Sequence, residues 1–115
     1  MPDQAQVDLE KLFALARGAR ARIGAPVGAA VVDSTGRTYS AAEVDLPHLR
    51  LSALALAVAQ AAAAGAERLH GAVLVAGRGA VPEPDLQVFA DLAEPGSPLV
   101  VRSQAGGLLA EVVLP

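Results

Sequence analysis

The chain has 115 residues, of which 53% are hydrophobic and 18% charged, with a net charge of −3. That is enough for one real core in a single domain, residues 1–115, and it excludes disorder as the overall state. There is no cysteine, so disulfides, thiolate nucleophiles and cysteine zinc ligands are all excluded.

A helix is expected from Asp8, because Leu9, Leu12, Phe13, Ala16 and Ala19 recur at helical spacing, with Glu10, Lys11, Arg17 and Arg20 on the other side. Asp3 suits its N-cap and Gly24 its stop. The run PVGAAVVD, the turn STG and the run GRTYS then read as a hairpin, in which Gly28 marks a close backbone approach or a bulge. In EVDLP, Asp45 suits the N-cap of a second helix and Pro47 its first turn.

That helix carries LSALALAVAQAAAAGA, sixteen residues without a charge, and Gly65 closes it. The run is shorter than the ~20 residues of a membrane span and is mostly Ala. The expectation is therefore a helix covered around most of its circumference, partly by another subunit. GAVLVAG is a continuous apolar run, the pattern of a strand covered on both faces. PEPDLQVFADLA reads as a short helix with Leu86, Phe89 and Leu92 on one side and Asp85 as its cap. PLVVRS and LLAEVVLP close the chain as two strands around a glycine turn.

The element order is thus α-β-β-α-β-α-β-β, and the expected class is α/β, a three-layer α-β-α sandwich around a five-stranded mixed sheet. No Lys/Arg block is present, and Phe13, Tyr39 and Phe89 are the only aromatics, which argues against nucleic acid. The N-terminus lacks the basic and apolar regions of a secretory signal. A cytoplasmic protein with no membrane partner is expected.

Joint order and spacing add a resemblance. VGAAVVDSTGRTYS, EVDLPHLRLSALALAV, LQVFADL and AEVVLP resemble, in that order, stretches of the cytidine deaminase family. In that family one zinc is held by three Cys, or by a His and two Cys, and a Glu beside the first ligand moves protons. The metal makes a hydroxide that attacks the pyrimidine.

Carried onto this chain, the first motif falls on Ser52, Ala53 and Leu54 when counted back from Gly65, or on Leu54, Ala55 and Leu56 when counted forward from Gly36 and Arg37. The second falls on Pro82 and Asp85. Both registers remove the metal ligand and place Leu at the acid/base Glu. The family's base-packing Phe corresponds to Ala25. Its ribose-holding pair corresponds to Ala41 with Glu43, or to Glu43 with Asp45.

The resemblance therefore implies a non-catalytic relative with no catalytic residue, no metal and no cofactor. Glu43, Asp45, Ser52 and Asp85 are the candidates for a remnant pocket. A homo-oligomer, dimer or tetramer, is expected, with a structural or regulatory role through a protein partner or a nucleoside-like ligand. The alternative is a nucleoside-deaminating protein with a non-standard site.

His48 and His70 with Asp45 or Asp85 could replace a metal site, but no ligand spacing supports it. Ser52, a helical Ser among apolar neighbours, is expected to bond a backbone carbonyl. Glu43 is expected in solvent, and Gly77 and Gly79 are expected to be turn residues.

Overall fold

A computed structural model describes residues 7–115. Helix α1 (Leu9–Ile23) starts on Asp8, whose carboxylate accepts from the Lys11 N–H at 3.0 Å, and stops at Gly24 in the left-handed region. The expected Asp3 cap lies outside the described residues. Strands β1 (Gly28–Asp33) and β2 (Thr38–Ala42) form the expected hairpin. Then follow β3 (Val44–Leu46), β4 (Leu49–Leu51), α2 (Ala53–Ala63), β5 (Leu69–Val75), α3 (Glu83–Leu92), β6 (Pro98–Arg102) and β7 (Leu108–Val113).

The main sheet has five strands in the order β2-β1-β5-β6-β7. Only β5 and β6 pair in parallel, with α3 as the crossover between them, as a parallel connection requires. Side chains of successive strand residues leave opposite faces, and the two faces have separate cores. Leu12, Phe13 and Ala16 of α1 pack on Ala30, Val73, Val75 and Val100. The other face takes α2 and Phe89 of α3, on Ala29, Val31, Leu74, Leu99 and Val101. The α/β class and mixed five-stranded sheet are as expected, and β5 is the buried central strand.

One expectation gives way. Residues 44–51 form a second, two-stranded hairpin instead of a helix start. Pro47 and His48 make its two-residue turn, since Leu46 faces Leu49, and a proline's fixed φ suits a turn as well as a helix N-terminus. Asp45 therefore caps nothing; it pairs across the strands with Arg50, its carboxylate 3.1 Å from Nε. His48 likewise sits in this turn and not in a helix.

Helix α2 is covered by the chain itself on one side. Ala53, Leu54, Ala57, Val58 and Ala61 are buried, while Ala59, Gln60, Ala62 and Ala63 are exposed.

The β1–β2 turn is built on Asp33, which is only 4% exposed. One of its oxygens accepts from the Thr35 N–H, the Thr35 hydroxyl and the Arg37 N–H; the other accepts from the Tyr39 hydroxyl at 2.9 Å. Burial pushes this carboxyl up, but the hydrogen bonds outweigh it and hold the pKa below 3.8. A lowered folded-state value stabilises the fold above the unfolded pKa, and that contribution is lost as pH falls through the folded value. Melting temperature against pH should thus fall below about pH 4. The acid slope should be shallower in Asp33→Asn, and an unchanged slope would refute the assignment.

Candidate functional site

Three elements deliver their ends to one place. Strand β5 finishes there, and α2 and α3 both begin there. The place lies beyond the carboxyl end of the central strand, which has β1 antiparallel on one side and β6 parallel on the other. Open α/β sheets characteristically bind ligands outside the carboxyl ends of their strands.

A cavity of about 460 Å³ opens there, lined among others by Val27, Leu74 and Val101 and by Glu43, Ser52 and Asp85. Its size lies within the ~300–1,000 Å³ of small-molecule sites. Three of the four candidate residues are thus brought together. Asp45 is not; its side chain is 70% exposed on the β3–β4 hairpin, where it lines a shallower depression that also touches Glu43 and Ser52.

Ser52 caps α2. Its hydroxyl oxygen accepts from the Ala55 N–H at 3.0 Å, and its O–H donates to Asp85 Oδ1 at 2.8 Å. It therefore does not bond a backbone carbonyl as expected. The N-terminal position explains why: there the free groups are N–H donors, which call for a side-chain acceptor. Asp85 does not cap α3 either. Pro82 holds that position without a side-chain hydrogen bond, and Asp85 sits in the first turn, where its charge complements the helix dipole. Glu43 is half-buried on the cavity wall and not fully solvated.

Two cations missed by sequence reasoning also line the cavity, Arg20 and Arg78. Arg20 is anchored, Nε donating to the Pro26 carbonyl at 3.0 Å and Nη1 to Gln104 at 3.0 Å. Its place on the polar side of α1 gave no hint of this role. Arg78 lies between Gly77 and Gly79, a stretch that reads only as a turn.

His48 is exposed in the hairpin turn and His70 is half-buried near the start of β5. Among the described residues, no group of three or more His, Cys, Asp or Glu side chains could hold a metal ion. The site therefore offers carboxylate acceptors, guanidinium donors and an apolar wall. A second cavity, of about 430 Å³, touches Asp33 and His70, but the Asp33 oxygens are already engaged. No helix among the described residues is long and apolar enough to cross a membrane.

Comparison with known proteins gives a consistent picture. The family model described as "Cytidine deaminase-like" matches residues 5–106. A cytidine deaminase from Burkholderia pseudomallei, seen in a 1.6 Å crystal structure, superposes with a TM-score of 0.80 at 22% identity, over 93% of each chain. Cytidine deaminase from Mycobacterium leprae gives 0.69 at 24%, over 88% of this chain and 92% of that one. A mutant cytidine deaminase from Mycobacterium tuberculosis gives 0.69 at 26%, over 84% and 85%. A search of curated proteins finds no match.

Proposed function

This chain belongs to the cytidine deaminase-like family, and we propose that it is a non-catalytic member that keeps the family's cavity as a binding site for a small polar molecule. The observation that carries this is the direct Ser52–Asp85 hydrogen bond of 2.8 Å. Of the two registers left open by sequence, this contact favours the one that puts Ser52 at the first ligand position. Leu54 then stands at the acid/base position, wholly buried in the core beneath α2.

The residues present do not fit a zinc ion. Zinc takes thiolate, imidazole or carboxylate ligands. Here the three positions hold a neutral hydroxyl already donating to its neighbour, a proline without a side-chain donor atom, and one carboxylate. A leucine has no proton to move.

What remains suits recognition. Glu43 and Asp85 can accept from N–H or O–H groups, Arg78 can donate, and Val27, Leu74 and Val101 can lie against an apolar or planar body. A nucleoside is the size and polarity class that such a cavity accommodates.

A second reading, deamination by a non-standard site, draws support from the likeness to cytidine deaminases. Metal analysis of purified protein together with a cytidine-to-uridine absorbance assay separates the two. We expect no stoichiometric zinc and no turnover; stoichiometric zinc with turnover would overturn the proposal. In a thermal-shift series over nucleosides, a ligand at a hundred times its Kd adds ~2.7 kcal/mol. Glu43→Ala should abolish that shift.

The exposed Ala59, Ala62 and Ala63 of α2 form an uncharged face of small side chains. This supports a homo-oligomer, dimer or tetramer, packed through α2. Light scattering should return a mass at least twice the 11.6 kDa of one chain.

A further inference from the structure

Resting on that reading, we propose that the Ser52–Asp85 hydrogen bond is a latch that replaces a metal ion as the tie between α2 and α3, on a backbone frame that still arranges three ligand positions. Apolar packing of Val81 and Leu86 holds the beginning of α3 against the core, but polar ties there are few. Its cap residue, Pro82, contributes no side-chain hydrogen bond, and Phe89, well along the helix, is its one fully buried residue. The bond from Ser52, 33 residues away, is the only side-chain hydrogen bond that reaches α3 among the described residues.

The other end of the latch is fixed more firmly. Ser52 is locked by its own bond to the Ala55 N–H, and the residues after it, Ala53 and Leu54, are wholly buried. A fixed donor on one helix thus meets a side-chain acceptor on the other. Pro82, Asp85 and Ser52 line the same cavity, and there the chain supplies the Ser52–Asp85 tie by itself.

The test has two arms. In the first, melting temperature is measured with and without EDTA for the unaltered protein, Ser52→Ala, Asp85→Ala, Asp85→Asn and the Ser52→Ala/Asp85→Ala double variant. EDTA should change nothing. Asp85→Ala should lower the midpoint by about 4 °C or more, whereas Asp85→Asn, which keeps an acceptor, should recover most of that loss. The double variant should lose less than the two single variants together. A drop on adding EDTA overturns both this inference and the non-catalytic reading. An EDTA-insensitive protein whose two single losses simply add overturns the latch alone.

In the second arm, the Ser52→Cys/Pro82→Cys/Asp85→Cys variant is titrated with cobalt(II). Thiolate charge-transfer and tetrahedral d–d bands at one ion per chain are expected, with a raised melting temperature. Absence of those bands, in a folded or unfolded variant, overturns the claim that the frame is retained.

Discussion

Gly28→Val should cost about 3 kcal/mol or more in urea denaturation, at the upper end for overpacking a core, and Gly28→Ala should follow it closely. A Cβ at this position would run into the carbonyl oxygen of Ala16, and would lie 2.8 Å from Arg20 Cβ and 2.9 Å from its backbone nitrogen. These neighbours are the body of α1, which cannot swing aside as the end of a flexible side chain can. Gly77 gives the contrast: nothing lies within 4 Å of a Cβ there, and Gly77→Ala should stay within about 0.5 kcal/mol.

The difference bears on the site as well as on stability. The close approach at Gly28 sets α1 against β1, and with it Arg20 against the cavity wall formed by the neighbouring Val27. Tolerance of Gly28→Ala to within about 0.5 kcal/mol would show that α1 is not held this way.

Leu54→Glu should not create a deaminase; it should unfold the protein or lower its stability by about 3–5 kcal/mol, the range for an unpaired buried charge. Leu54 has no exposed surface and belongs to the cluster that joins α2 to β1, β5 and α3. A carboxylate there would lose its hydration and find no cation in the cluster. An acid/base group placed at this position alone thus works against the packing around it. Circular dichroism melts and the cytidine absorbance assay check both halves. A folded, zinc-free Leu54→Glu protein that turns over cytidine would refute this account of the site.

Much of the architecture is legible in the chain because it is dictated locally. The 3.6-residue spacing of Leu9, Leu12, Phe13 and Ala16, the uninterrupted AVLV of β5 and the turn glycines at 24 and 65 each act on their own segment. What could not be read depends on partners distant in sequence. Asp45 and Pro47 have the composition of a helix start, and only the pairing of Val44 with Leu51 and of Asp45 with Arg50 decides for a hairpin. Asp85 has the composition of a cap, and only Ser52, one helix and one strand earlier, draws it away.

The same holds for the cavity. Glu43, Ser52 and Asp85 could be nominated through a resemblance, but Arg20 and Arg78 could not, since nothing in α1 or in the loop after β5 announces that they share a wall. The uncharged run shows that α2 has no charged face, and the chain itself covers one side of it.

The small hairpin of β3 and β4 has one more consequence, for tolerance to changes in length. Glu43 and Ser52 are separated by eight residues, and those residues fold back so that Val44 faces Leu51. The spacing of the two cavity residues is therefore set at the open end of a ladder, not by the number of residues at its tip. Paired insertions beyond Leu46 and Leu49 would lengthen an exposed arm and leave Glu43 beside Ser52. An unpaired insertion would shift one strand against the other and turn every side chain beyond it to the opposite face. The segment can vary in reach while the site beneath it stays the same.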